Sequence, residues 1–220
     1  MNRPRIDHTA LNLSFVLHER SDSDTVRRYL RAAQAERKRC AQATRELAAL
    51  PDEALAQRII LLDRTGRDGA PAHDDELFVS LNIGAIELLP RLLRITGYSP
   101  LEAESSPALL DGPQTPSDHA LSFFGAPAAL VAPPLSGTRL VFTTAVFRPG
   151  YSSILLRATS LDTHIETGSP NWRQAAQLAE EVIREFPLQW WCERPLWPRP
   201  VEETLPEFRA TGNGASACGR

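Results

Sequence analysis

Residues 77–97 do most to limit what this chain can fold into. Leu77-Phe78-Val79-Ser80-Leu81 is an apolar run of strand length. A turn follows at Gly84, and Ile86, Leu89, Leu92 and Leu93 then recur at helical spacing up to a closing Gly97. Such a stretch predicts an interior strand passing through a tight turn into a helix that begins near Glu87.

The rest of the chain mixes the same two kinds of element. Residues 58–62 read as a buried strand after a helix that Asp22 or Ser23 caps and Pro51 ends. Residues 139–147 and 152–159 are β-rich runs joined by Arg148-Pro149-Gly150-Tyr151, a hairpin signal. Residues 171–186 form an amphipathic helix with Ala175, Leu178, Ala179, Val182 and Ile183 on one face. Ser169 is its favoured cap, with Pro170 at the first helical position and Asn171 as the alternative. Near the start, Leu11, Leu13, Phe15 and Leu17 alternate with other residues, which predicts weak strand or irregular structure. A segment rich in Trp and Pro, 187–200, follows the last long helix. The expected class is α/β: a single mixed sheet covered by helices. One domain is expected over 1–209, with a disordered tail at 210–220.

Bulk properties narrow the function. At 220 residues the chain can bury one full core. Its net charge of −3 gives no electrostatic case for nucleic acid as a partner. Cys40, Cys192 and Cys218 form no CxxC pair and no metal-ligand spacing with a His, so no metal site is expected. Three cysteines fit a reducing compartment better than a disulfide framework. The uncharged run 121–138 is broken by Pro and Gly and predicts buried strand and turn, not a membrane span. The start has no apolar stretch of the secretory-signal kind.

Three collinear blocks resemble the bacterial lysophospholipid acyltransferase superfamily, nearest the lauroyl and myristoyl acyltransferases of lipid A biosynthesis. Leu81-Asn82-Ile83-Gly84-Ala85-Ile86-Glu87-Leu88-Leu89-Pro90 is similar to the family's His-x-Gly-Asn-x-Glu block. Leu109-Leu110-Asp111, followed after a loop by Phe123-Phe124-Gly125-Ala126-Pro127-Ala128, looks like the block in which a strand ending in Asp leads to a Phe-Phe-Gly turn. Pro187-Leu188-Gln189-Trp190 with Trp197-Pro198-Arg199-Pro200 resembles the family's C-terminal ending.

The resemblance implies an acyltransferase-like α/β sandwich. It also implies transfer of a fatty acyl group from an acyl-carrier-protein or CoA thioester to a hydroxyl or amine of a lipid or hydrophobic metabolite, with no bound cofactor. In the family a His takes the proton from the attacking hydroxyl and the acid orients it. Here Glu87 holds the acid's place and Asn82 the base's. His73 and His119 are the candidate replacement bases; Asp111, Phe124, Gly125 and Trp190 are the candidate substrate-binding residues. An amide lacks a base's proton affinity, so the alternative is an inactive relative that binds an acyl chain, acyl carrier protein or partner subunit. The expected location is cytoplasmic, with peripheral contact at the inner membrane face through Arg37, Lys38 and Arg39 or the tryptophans.

The bland readings stand beside these. Glu87 is also a first-turn helix acid, Asp111-Gly112 a turn pair, and the aromatic pairs core material.

Overall fold

The computed structural model describes residues 8–66, 76–98, 108–111, 121–128, 130, 139–161, 171–192 and 194–210. The elements run α1 (His8–Leu17), α2 (Asp24–Ala48), α3 (Asp52–Ala56), β1 (Ile59–Arg64), β2 (Glu76–Ser80), α4 (Leu89–Ile95), β3 (Ala108–Leu109), β4 (Leu121–Phe123) and β5 (Ala126–Ala128). They continue through β6 (Arg139–Phe147), β7 (Ile154–Ser160), α5 (Trp172–Glu185), α6 (Val201–Thr204) and α7 (Pro206–Ala210). Short 3-10 turns at Ile86–Leu88 and Pro187–Gln189 precede α4 and follow α5. Of the tail expected at 210–220, Ala210 closes α7 and the rest lies outside the described residues.

Five strands form one sheet in the order β1-β7-β6-β2-β3. β1 is parallel to β7, β7 antiparallel to β6, and β6 parallel to β2, which pairs parallel with β3. The sheet is mixed and the class is α/β. A second sheet, the antiparallel β4–β5 ribbon, adds to the single sheet expected.

The β6–β7 hairpin is the centre of the sheet. Its turn closes through the Tyr151 N–H donating to Arg148 O at 2.9 Å. Gly150 and Tyr151 both have positive φ, 87° and 57°. The strained Tyr151 is anchored by its hydroxyl, which donates to Glu36 Oε2 on α2 at 2.6 Å.

Side chains alternate across a strand, and β6 sorts accordingly. Leu140, Phe142 and Val146 join one buried cluster; Val141, Ala145 and Phe147 join another. The first face carries α1, α5 and the segment from Trp190 to Leu205. The second carries α2, α3 and α4. Helices therefore cover both faces. Among the described residues no helix is long and apolar enough to cross a membrane. Arg37, Lys38 and Arg39 are exposed on α2.

Three local expectations change. β1 is a strand as expected but not a buried one: it lies at the edge of the sheet, and Ile60, Leu61 and Leu62 are exposed. Residues 8–17 are helical, and Leu11, Asn12, Leu13, Ser14 and Phe15 are all buried. A helix enclosed on every side has no polar face, so its sequence lacks the helical period. The cap of α5 is Asn171, whose side-chain oxygen accepts from Gln174 N–H at 3.1 Å. Ser169 lies outside the described residues. Ser23 caps α2 as read, accepting from Val26 N–H at 3.1 Å.

Candidate functional site

The ends of β2 and β3 lie side by side because the two strands are parallel neighbours. This brings Asn82 next to Asp111. The Asn82 N–H donates to Asp111 Oδ1 at 2.9 Å, and the Trp190 indole N–H donates to Asp111 Oδ2 at 2.8 Å. Asn82 Nδ2 donates to Trp191 O at 2.9 Å, and Trp191 N–H donates back to Asn82 O at 2.9 Å. Three of the predicted site residues, Asn82, Asp111 and Trp190, thus meet at one point. Each polar atom named is already taken up by the chain.

A second layer closes the locus. Arg194 Nε donates to Asp111 O at 3.2 Å. Asn12, buried on α1, donates from Nδ2 to Cys192 O at 3.1 Å and Arg194 O at 2.8 Å, and accepts from Leu196 N–H at 3.1 Å. Burial pushes the Asp111 carboxyl above its usual range, against the pull of its N–H donors and the Arg194 guanidinium. Burial, then the Asp111 charge, pushes the Cys192 thiol up to about 12, so it is no nucleophile at neutral pH.

Gly84 shows why the turn needs glycine. It has φ +57°, and a Cβ there would overlap the backbone of Ala145 and Val146. Its N–H donates to Gln189 O at 2.9 Å. Gln189 in turn satisfies both backbone groups of Phe147: Oε1 accepts from its N–H and Nε2 donates to its O, each at 2.9 Å. The 187–190 segment is therefore stitched into the sheet.

Phe124 and Gly125 form the two-residue turn of the β4–β5 ribbon, with φ 48° and 77°. Positive φ at both positions is the twist such hairpins need, though Phe is an unusual choice for it. Glu180 on α5 holds the turn, its Oε1 accepting from Phe124 N–H at 2.6 Å. The Arg184 guanidinium lies 4.9 Å from the Phe124 ring centroid. Phe123 and Phe124 pack edge to face, and Trp197 stacks between Phe15 and Phe123, with centroid distances of 4.2 and 5.8 Å. These aromatics act as core.

Glu87 stays apart. It is exposed on the 3-10 turn and has no hydrogen-bond or ion-pair partner among the described residues. His73 and His119 lie outside the described residues. Among the described residues no group of three or more His, Cys, Asp and Glu could hold a metal ion.

Among the described residues, cavities lie elsewhere, and Glu87 lines neither of the two that follow. One of about 390 Å³ sits between α2 and the 187–189 turn, walled by Tyr29, Ala32, Phe186, Pro187 and Leu188. Of the charged groups on it, Glu36 is bonded to Tyr151 and Glu185 to Arg157, whereas Arg28 has no ion pair among the described residues. The other, of about 230 Å³, lies between α5 and strands β1, β7 and β6. Sequence reading passed over Arg28, Arg64, Thr144 and Arg157, which line them. The available signal was a charged or hydroxyl residue inside an apolar run, as Thr144 is in β6 and Arg157 in β7.

The chain matches no protein-family model and no curated protein.

Proposed function

We propose that this chain is a non-catalytic, acyltransferase-like protein of the cytoplasm that holds an acyl chain, presented free or by an acyl carrier protein. The reading rests first on the state of the Asn82–Asp111 locus. Both Asp111 oxygens and the Asn82 amide N–H are spent on internal bonds. Trp190 sits where a reactant would have to approach the carboxylate. A group in that condition positions backbone and takes no proton from a substrate. Glu87, the family's acid by resemblance, is exposed and makes no contact with the locus.

The cavity beside Pro187–Gln189 supports the holding role. Tyr29, Ala32, Phe186, Pro187 and Leu188 give it apolar walls, and Arg28 is its charged group without an ion pair among the described residues. An amphiphile with an apolar tail and an anionic head matches that arrangement. A fluorescent fatty acid is expected to bind with saturation and to be displaced by unlabelled fatty acid. Leu188→Arg, which puts a charge in the cavity, is expected to abolish binding. Intact-mass assays with acyl-CoA and acyl-carrier-protein thioesters are expected to show neither hydrolysis nor transfer, for wild type and for Asn82→His alike. Turnover by wild type, or turnover gained in Asn82→His and lost again with Glu87→Gln, would return the chain to the acyltransferases.

A further inference from the structure

The smaller cavity is a built site of a different kind. Strand register sets its floor as two rows across β1, β7 and β6. One row is Leu62, Arg157 and Thr144; the next is Arg64, Thr159 and Phe142. Its roof is one face of α5: Leu178, Glu181, Val182 and Glu185, at positions i, i+3, i+4 and i+7.

The floor is rich in donors that the chain leaves unused. Arg157 gives Nη2 to Glu185 at 2.6 Å, yet its buried Nε has no partner. Thr144 is fully buried, and its hydroxyl oxygen is also without a partner. Leaving buried polar groups unmade is costly, and such groups in a cavity point to a bound species. Arg64, on the floor, and Glu181, on the roof, carry opposite charges, and neither has an ion pair among the described residues. The charged faces therefore ask for an acceptor below and a cationic donor above. Leu62, Phe142, Leu178 and Val182 ask for an apolar body between them.

We infer that this cavity binds a small zwitterionic α-amino acid with a branched apolar side chain. Its carboxylate meets Arg64, and Arg157 Nε and the Thr144 hydroxyl, which lie just beneath the cavity surface, turn to it as it enters; its ammonium meets Glu181; its side chain lies against the four apolar residues. The size agrees. A cavity of about 230 Å³ has room for a small amino acid. This site adjoins the acyl-holding cavity at Glu185, which lines both, but its ligand and its test do not depend on that reading.

Calorimetric titration of the full chain with L-valine is the experiment. Saturable binding is expected. Isovalerate, which lacks the ammonium, and isobutylamine, which lacks the carboxylate, are expected to bind at least about tenfold more weakly, since each loses a charge-assisted bond. Arg64→Gln and Glu181→Gln alter exposed side chains, so the melting temperature is expected to hold while valine affinity falls by about tenfold or more. Thr144→Val keeps the shape, removes an unpaired hydroxyl, and is expected to weaken binding without lowering the melting temperature. The inference is overturned if valine shows no saturable binding, if isovalerate binds as tightly, or if Arg64→Gln and Glu181→Gln leave the affinity unchanged.

Discussion

Asp111 concentrates the opposing forces of the locus in one side chain. Its two oxygens are satisfied, yet its desolvation outweighs those bonds and raises its pKa above the 3.8 of an ordinary Asp. A carboxyl raised on folding contributes its full stability below the unfolded pKa, where both states carry the proton. That contribution is lost as pH rises through the folded pKa. Urea midpoints measured from about pH 4 to 8 are expected to fall with pH, from the usual Asp range upward. Asp111→Asn cannot ionise, so it is expected to flatten that fall. It also turns an amide N–H toward a donor it formerly accepted from, which costs about 1–3 kcal/mol at all pH values. An unchanged pH slope in the variant would place the titrating group elsewhere. The buried thiols give a second check at this scale. Cys40 and Cys192 are both free, buried and pushed up to about 12, each chiefly by burial. With Cys218 replaced by Ser, the native chain is expected to leave Ellman's reagent unreacted at about pH 8. Denaturant should then release both thiols. Fast labelling of the native protein would show that the 190–196 segment opens readily.

Among the elements, the tightest constraint is the turn between β2 and α4. Gly84 takes positive φ while the backbone of β6 and the side chain of Gln189 fill the space that a Cβ would need. Gly84→Ala adds a left-handed penalty of about 1–2 kcal/mol to an overlap that only backbone movement relieves. A total loss of at least ~2 kcal/mol in unfolding free energy is the expected result by chemical denaturation. A variant as stable as wild type would show that the turn yields freely. The same turn was legible in the sequence, because a glycine between an apolar strand and a helical repeat has one common use. α1 was not. Its polar residues, Asn12 and Ser14, are buried because they have specific partners, and Asn12's partners are some 180 residues away. No local period encodes a helix whose polar side chains point into the protein. The cap of α5 was misjudged for a smaller reason. Asn171 and Ser169 flank Pro170, and both are good caps. The run 121–138 reads as buried strand and turn, but the pairing of β4 with β5 is not legible in it. That ribbon depends on Glu180, a contact across 56 positions, and on a left-handed Phe that propensity disfavours.

Across the whole molecule, Asn82, Asp111 and Trp190, three residues that the resemblance joins, do touch, whereas Glu87, which it joins to them, stands apart. The resemblance says nothing of whether a space remains between the three, because packing around a locus is decided by distant segments. Here the space is closed by residues 187–205, which return to the sheet and stitch its first face shut. Trp190, Cys192, Leu196, Trp197, Val201 and Leu205 are all buried in the same cluster as Val182 and Ile183 of α5 and Phe142 of β6. Trp197 has no exposed surface and is sandwiched by Phe15 and Phe123. Removing that ring alone, as Trp197→Ala, is expected to cost about 3–5 kcal/mol. That is a large share of the ~5–15 kcal/mol that holds a typical domain together. A chain ending at Phe186 loses the ring, five more buried side chains, the Gln189 bridge to Phe147 and the Trp190 bond to Asp111. It also leaves the Asp111 carboxylate without one of its donors. Such a product is expected to be insoluble, or to keep helical far-UV circular dichroism while losing its near-UV signal. A soluble truncated chain with a sharp melting transition near that of the full protein would show that residues 187–205 are a detachable arm. The Asn82–Asp111 locus would then be open to a ligand, and the closed state that argues for a non-catalytic role would be one of two.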